Sequence, residues 1–165
     1  MAFMIPDTAP SGITAGERIL FNTLKTELPD DIIAYHAPRI GIHQPDYLLI
    51  VPEHGVIVLE VKDYTEKTLV EISPDTWRIR TSAGKMLNHP NPYSQAKNYA
   101  FKISDILVKD PELLQTEGRY AGRLKFPYSY AVVFTRMQEE QLYRSGVMEV
   151  MPASCTFSRD EIDTD

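Results

Sequence analysis

Two charged side chains interrupt the most apolar stretch of the sequence. Glu60 and Lys62 follow the run Val-Ile-Val-Leu at 56–59 and lie two residues apart, so in a β-strand they would share one face. An unpaired charge inside such a strand is very unfavourable, which indicates a specific role for both residues. Asp46 opens the neighbouring apolar run 47–51, and a hairpin between the two runs would bring it close to Glu60.

The chemistry available to these side chains is that of a metal-dependent hydrolase. Two carboxylates that converge on one point repel each other unless a proton or a cation lies between them. Oxygen ligands without Cys or His at ligand spacing favour Mg²⁺ or Mn²⁺ over zinc. A lysine beside them can orient or deprotonate a water and offset negative charge on a phosphate. Asp46, Glu60 and Lys62 are therefore candidate catalytic residues, and the two acids are candidate metal ligands.

The register of the predicted hairpin decides whether Asp46 belongs to this group. In one register Val51 pairs with Val56. Asp46 then lies opposite Val61 and points to the other face of the sheet. A loop of three or five residues, or a bulge, would return it to the face of the other two charges. The alternative without a metal is an ordinary cross-strand network at a sheet edge, with Asp46 capping a turn.

Two predicted helices supply further polar candidates. Thr14 and Glu17 have the spacing of a capping box at the start of the first helix. Glu17 also falls on the apolar stripe of that helix, and we expect it to turn inward to the acidic cluster, with the capping box as the alternative. The second helix begins at Asn91-Pro92. Its Gln95 and Tyr99 share a face and could hold a substrate strand or position a water, unless Tyr99 is simply core.

The order of the predicted elements is helix, three strands, a hairpin, helix and strand. A helix between groups of strands indicates a mixed sheet covered by helices, an α/β or mixed α+β domain. A chain of 165 residues is expected to form one domain, which we assign to residues 13–157. Residues 1–12, rich in Pro, Gly and Ala, are expected to be a leader. Residues 158–165 contain four acids and are expected to be an acidic tail or the start of a linker.

Composition excludes some partners and locations. The net charge of −6 opposes a broad basic surface, but it does not exclude a metal-dependent site on a polyanion, because the cation itself contacts the phosphate. Arg119, Arg123 and Lys125 alternate with aromatic residues and could contact phosphates and bases, with a solvated loop as the alternative. The sequence has no apolar run near ~20 residues and no secretory signal. It contains a single cysteine, Cys155. A cytoplasmic location without membrane contact is expected.

Five further blocks of the sequence have a characteristic order. They are Gly16-Glu17-Arg18, Leu28-Pro29-Asp30-Asp31, Pro45-Asp46, the segment from Gly55 to Asp63, and Asn91-Pro92-Tyr93-Ser94-Gln95-Ala96-Lys97. In this order they resemble the nuclease-related domain, or NERD, family of the PD-(D/E)xK superfamily. The resemblance covers about residues 11–135 and implies a restriction-endonuclease-like fold with a role in DNA processing.

The resemblance also implies roles for single residues. Asp46 and Glu60 would be metal ligands together with the carbonyl of Val61, and Lys62 would be the catalytic lysine. The expected cofactor is Mg²⁺ or Mn²⁺.

Supporting roles follow from the same comparison. Glu17 and Gln95 would be further residues of the catalytic pocket. The spacing from Gln95 to Tyr99 is similar to a motif in RecB-type nucleases, and Lys97 and Tyr99 would contact the substrate.

The function implied is that of a metal-dependent DNA nuclease in DNA processing or repair, with DNA as partner. Residues 132–135 and then 147–152 are similar to the junction that precedes a helicase of the UvrD type, so a covalently linked helicase domain is a further expectation. The alternative is a catalytically silent DNA-binding or docking module of a helicase-type protein.

Overall fold

The computed structural model describes residues 1–163, which form nine strands and five α-helices. The strands are β1 (Phe3–Ile5), β2 (Ile33–His36), β3 (Tyr47–Val51), β4 (Gly55–Lys62), β5 (Leu69–Glu71), β6 (Thr76–Arg80), β7 (Met86–Pro90), β8 (Tyr128–Phe134) and β9 (Thr156–Phe157). The helices are α1 (Ala15–Glu27), α2 (Pro92–Leu107), α3 (Glu139–Arg144), α4 (Val147–Val150) and α5 (Arg159–Ile162).

The larger sheet is mixed, which confirms the predicted fold class. Its six strands have the order β1-β2-β3-β4-β8-β9. β3 is antiparallel to both of its neighbours, whereas β4 and β8 are parallel. The connection between the parallel strands contains α2, which must run back across the sheet in the direction opposite to β4. The first turn of α2 therefore lies over the carboxyl end of β4.

Helices cover both faces of this sheet, and successive residues of β4 contact different helices. On one face Leu59 packs against Leu20 and Phe21 of α1. On the other face Val58 packs against Ala100 of α2. Side chains alternate along a strand, so residues two and four positions after Val58 also point to the face covered by α2.

The start of α2 is fixed by Asn91, as the sequence predicted. Its side chain accepts a hydrogen bond from the N–H of Tyr93 at 2.9 Å, and Pro92 occupies the first helical position. The amide of Asn91 also donates to the carbonyl of Val150 at 3.0 Å and to that of Ser73 at 3.4 Å. A side-chain cap stabilises a helix by about 1 kcal/mol, and these extra bonds hold the first turn of α2 in place over β4.

A smaller sheet, β5-β6-β7, is inserted between β4 and α2. Trp77 and Ile79 of β6 are buried, and Trp77 stacks on Phe134 of β8 with ring centroids 6.1 Å apart. The insertion therefore packs beyond the carboxyl ends of β4 and β8. The sequence predicted the β5–β6 hairpin but not β7.

The amino-terminal residues are part of the core. β1 lies within the expected leader and pairs in parallel with β2. Ala2 and Met4 are buried. The segment 1–12 therefore contributes an edge strand to the sheet.

The carboxyl-terminal residues also fold onto the domain. The segment expected to be a helicase junction contains α4, and Val147 is buried in the same cluster as Trp77. In the expected acidic tail, Ile162 packs against α1, and the Thr23 hydroxyl donates to its carbonyl at 2.6 Å. The last two residues of that tail, 164–165, lie outside the described part of the chain. Over the described range, none of the helices combines the length and apolarity that a membrane crossing requires.

Candidate active site

The register of β3 and β4 brings Asp46 to the face of Glu60. A loop of three residues, 52–54, connects the strands, and Val51 pairs with Gly55. Continuing this register to the position before β3 sets Asp46 opposite Glu60. Residues directly opposite each other project to the same side of a sheet, which here is the side covered by α2.

Gly55 fixes this register. Its φ of +77° lies in the left-handed region, which favours glycine. A Cβ atom at this position would collide with the backbone carbonyl of Pro127, which leads into β8. The glycine therefore permits both the three-residue loop and the close approach of β8 to the start of β4.

Asp46 is held by hydrogen bonds at the point where β3 begins. Its backbone carbonyl accepts the N–H of Ala37 at 2.7 Å, and its Oδ2 accepts the N–H of Val61 at 2.7 Å. In this register Val61 faces Pro45, which has no N–H to donate to the carbonyl of Val61. Because the N–H and C=O of one strand residue point to the same side, that carbonyl points toward Asp46. A carboxylate and a backbone carbonyl thus meet at this end of the sheet.

Glu60, Lys62 and Gln95 form a hydrogen-bonded group between β4 and α2. Glu60 is only 3% exposed. The ammonium of Lys62 donates to Oε1 of Glu60 at 2.8 Å and to Oε1 of Gln95 at 3.1 Å. The group depends on the position of α2, since Gln95 belongs to the first turn of that helix. Gln95 is therefore placed at the predicted site, in contact with the predicted catalytic lysine.

The pKa values of the three charged residues are shifted by their surroundings. Burial raises the pKa of Glu60 to about 7. The positive charge of Lys62 lowers this pKa, and the Asp46 carboxylate raises it further. Burial also raises the pKa of Asp46, although its bond from the Val61 N–H and the charge of Lys62 oppose the change. For Lys62, burial lowers the pKa, but its contacts with Glu60, together with the nearby Tyr64 and Asp46, outweigh burial, so the net shift of the pKa is upward. Lys62 is therefore an ammonium at neutral pH, and a further cation would favour the ionised acids.

The ligands available for such a cation are all oxygens. Within residues 1–163 there is no group of three or more His, Cys, Asp and Glu side chains placed to hold a metal ion. The candidate ligands are the carboxylates of Asp46 and Glu60 and the carbonyl of Val61. This set suits Mg²⁺ or Mn²⁺, which prefer hard oxygen ligands and usually keep several waters. Metal binding stays a prediction.

Glu17 does not turn toward this group, and the expectation that it would is wrong. Its carboxylate accepts the N–H of Thr14 at 2.7 Å, while the Thr14 hydroxyl accepts the N–H of Glu17 at 3.1 Å. This is the complete capping box that was the alternative. The physical reason is that α1 covers the face of the sheet opposite to that of Glu60. The charge of Glu17 still lies near enough to raise the pKa of Asp46.

Two further candidates on α2, Tyr99 and Lys97, contact aromatic and apolar groups in the structure. Tyr99 packs against the apolar core beneath α2, with its ring edge-on to His43 at a centroid distance of 6.3 Å. It therefore takes the core position that was its alternative. The Lys97 ammonium lies 6.0 Å from the ring centroid of Tyr93 and 5.6 Å from that of Phe101.

The basic loop is not brought to the acidic cluster. Arg119 and Arg123 flank one exposed tyrosine ring, and the Lys125 ammonium donates to a backbone carbonyl at 2.7 Å. The loop leads into β8, whose first residue, Tyr128, pairs with Val56 near the start of β4. The candidate site lies at the other end of β4, six residues or about 20 Å away.

Tyr64 is a neighbour of the site that sequence reasoning missed. Its ring centroid lies 6.0 Å from the ammonium of Lys62, and burial raises the pKa of its phenol. The available signal was spacing, because Tyr64 continues the alternation of Glu60 and Lys62 by two more residues.

These elements define the class of protein: an α/β domain whose central strand carries an acid-x-lysine site at its carboxyl end, beneath a helix that contributes a glutamine. The family model described as nuclease-related domain (NERD) matches residues 14–135. The chain therefore belongs to the nuclease-related domain family, as its sequence blocks predicted. No curated protein and no solved structure matches the chain significantly. The site residues lie within the matched range, whereas α3, α4, β9 and α5 follow it and complete the core.

Proposed function

We propose that this domain is a Mg²⁺- or Mn²⁺-dependent nuclease that hydrolyses phosphodiester bonds of DNA in DNA processing or repair. The observation that carries the proposal is the convergence of Asp46, Glu60, Lys62 and Gln95 at one end of the central strand. Membership of a nuclease-related family supports it independently. A buried acid, Glu60, and a half-buried acid, Asp46, both with raised pKa values beside a lysine, also have little reason to occur in a sheet that only needs to be stable.

Three residues would hold the metal ion. The carboxylates of Asp46 and Glu60 would supply two ligands, and the carbonyl of Val61, the residue after Glu60 on β4, would supply a third. When bound, Mg²⁺ or Mn²⁺ offsets charge on the phosphate and lowers the pKa of a water. Asp46 is already oriented for this role by the N–H of Val61, which bonds one of its two oxygens at 2.7 Å.

Lys62 acts as a hydrogen-bond donor in this scheme. Its raised pKa keeps it protonated at neutral pH, so it is not the base that deprotonates the attacking water. Gln95 and Glu60 hold the ammonium in position. In the reaction a water oxygen forms a bond to phosphorus and that water gives up a proton to solvent. The bond from phosphorus to a deoxyribose oxygen breaks, and that oxygen takes up a proton from solvent and leaves as a hydroxyl group. The Lys62 ammonium would stabilise the negative charge that develops on the phosphoryl oxygens.

The test is a cleavage assay with purified protein on linear, nicked and closed circular DNA, with Mg²⁺, Mn²⁺ or EDTA. We expect cleavage with either metal and none with EDTA. Asp46→Asn and Glu60→Gln should lose activity, whereas the matched control Glu117→Gln, at an exposed acid in a loop, should keep it. Absence of cleavage by the wild-type protein with both metals would contradict the proposal and favour a silent binding module. Equal cleavage activity in EDTA would contradict the proposed requirement for a metal ion.

A further inference from the structure

An aromatic strip runs along one side of α2. We use this name for Tyr93, Lys97 and Phe101 of α2 together with Tyr128 and Tyr130 of β8. The three helix residues are four positions apart and therefore form one line on the helix surface. The two strand residues are two positions apart and project to the same face of the sheet. Helix and strand together thus present one continuous row of rings around a single ammonium group.

The rings of the strip hold one another in place. Ring centroids lie 5.5 Å apart for Tyr93 and Tyr130, 6.3 Å for Phe101 and Tyr130, and 6.1 Å for Phe101 and Tyr128. The hydroxyls of Tyr93 and Tyr130 are 3.3 Å apart and hydrogen-bonded. Yet Phe101 is 44% exposed and Tyr128 is 37% exposed. The strip is therefore an ordered aromatic surface in contact with solvent.

The strand beneath the strip has an open edge. Within the described chain, β9 pairs with β8 only at Val132 and Val133. Tyr128 and Tyr130 precede that pairing. The 3-10 turn Ala153–Cys155 contacts β8 without pairing with it, so no strand of the described chain pairs with the backbone beside Tyr128 on the β9 side. An extended ligand can therefore approach the strip at Tyr128 along the edge of the sheet as well as from above.

The strip connects the candidate active site with the basic loop. Tyr93 lies two residues before Gln95, at the end of α2 that covers the site. At the other end, Tyr128 and Arg123 line one groove of about 510 Å³. The guanidinium groups of Arg119 and Arg123 lie 5.7 Å and 5.6 Å from the ring of Tyr120. In a chain with a net charge of −6, this track alternates aromatic rings with cations from one end of the sheet to the other.

We infer that the aromatic strip binds single-stranded DNA and leads it to the active site. Bases stack on Phe101 and Tyr128, and phosphates pair with Lys97 and Arg123. Alternating stacking platforms and cations are the chemistry by which proteins bind single strands without reading their sequence. In a duplex the faces of the bases are already stacked on one another and cannot reach the strip. The inference rests on the proposed function and adds to it a preference for single strands.

Equilibrium binding without catalysis tests the strip. Fluorescence anisotropy of a labelled oligothymidylate, and of its duplex with oligoadenylate, is measured in EDTA. We expect the wild-type protein to bind the single strand more tightly than the duplex. Phe101→Ala should weaken single-strand binding by about 5- to 150-fold, the range found when one stacked base is lost. Lys97→Gln should weaken it and reduce the salt dependence by about 0.7 in the log–log slope.

A matched control is Tyr143→Ala, which removes an exposed ring on α3 and should leave binding unchanged. Circular dichroism confirms that each variant is folded. Equal or tighter binding of the duplex by wild type, or undiminished single-strand binding by Phe101→Ala, would overturn the inference. The cleavage assay with Mg²⁺ or Mn²⁺ separates the two proposals. If Phe101→Ala loses single-strand binding but the wild-type protein does not cleave DNA, the strip is supported and the nuclease proposal is contradicted. If Phe101→Ala binds normally and the wild-type protein cleaves DNA, the nuclease proposal is supported and the strip is contradicted.

Discussion

Replacing Glu60 by glutamine should make the metal-free protein more stable at neutral and alkaline pH. Burial raises the pKa of this carboxyl from 4.5 to about 7. Between these values the folded protein keeps a proton that the unfolded chain has released, so the folded state binds more protons. The free energy of unfolding therefore falls as the pH rises through this window. Glutamine has nearly the shape of the protonated acid and has no proton to lose.

The magnitude follows from the size of the pKa shift. A change from 4.5 to about 7 corresponds to about 3 kcal/mol. This destabilisation of the wild-type protein is absent below pH 4.5 and fully present above pH 7. The amide oxygen of the glutamine can still accept from Lys62, and Gln95 remains as its second partner, so the ammonium is not left unpaired.

Urea unfolding in EDTA, followed by circular dichroism from about pH 5 to about pH 8, measures the effect. We expect the difference in unfolding free energy between Glu60→Gln and wild type to grow with pH by about 2 to 3 kcal/mol. Glu117→Gln, at an exposed acid, is the control and should follow the wild-type curve. If the difference in unfolding free energy between Glu60→Gln and wild type does not change with pH, or decreases as the pH rises, the claim that burial raises the pKa of Glu60 is refuted.

Three further predictions concern the site and its support. Asp46→Asn should bind Mn²⁺ more weakly by titration calorimetry, because a carboxylate ligand is replaced by a neutral amide; unchanged affinity would remove Asp46 from the metal site. Gln95→Ala should lower kcat with little effect on Mn²⁺ affinity, since Gln95 contacts Lys62 and not the acids; a loss of affinity equal to that of Asp46→Asn would show a different role. Gly55→Ala should lower the Tm more than Gly84→Ala does. Both glycines have positive φ, which costs an alanine about 1 kcal/mol, but only at Gly55 does the new methyl group meet backbone; equal effects would contradict the packing at Gly55.

The sequence predicted the elements that carry strong local signals. β3 and β4 are continuous apolar runs, which are typical of strands covered on both faces. Asn91-Pro92 is a capping signal that requires no knowledge of the tertiary structure. The residues of the candidate site on β4 and α2 could therefore be named in advance.

The register of Asp46 could not be decided from the sequence. Three loop lengths were compatible with the apolar pattern, and each placed Asp46 differently. The deciding contact is that between Gly55 and the carbonyl of Pro127, which are distant in sequence. Only the arrangement of the whole sheet brings these two residues together.

The missed elements have weak local signals. β1 has three residues, too few to show a period, and its pairing with β2 is fixed by tertiary contacts. β7 contains Asn88 and Pro90, which are disfavoured in strands, and its pairing with β6 overrides that preference. α5 has four residues, and Ile162 is the one that is buried in the core.

The wrong expectation for Glu17 and the unforeseen distance of the basic loop from the acidic cluster share a cause. A position on an apolar stripe shows that a residue points to the sheet, but not to which face of the sheet. Likewise, the sequence shows that Arg119 and Arg123 precede a strand, but not that the strand is parallel to β4 and begins at the far end. Both points concern topology, which local patterns do not contain.

The central claim is that Lys62 serves catalysis at a metal site formed by Asp46 and Glu60. The most direct measurement is cleavage by Lys62→Ala in Mn²⁺ of the form of DNA that the wild-type protein cuts fastest. The Mn²⁺ concentration is one shown by calorimetry to fill the site, and the pH is above 7, where most of Glu60 is ionised. Lys67→Ala, at a nearby exposed lysine, is the matched control. We expect Lys62→Ala to fold and to bind Mn²⁺ but not to cleave, while Lys67→Ala cleaves like wild type. Undiminished cleavage by Lys62→Ala would contradict the claim.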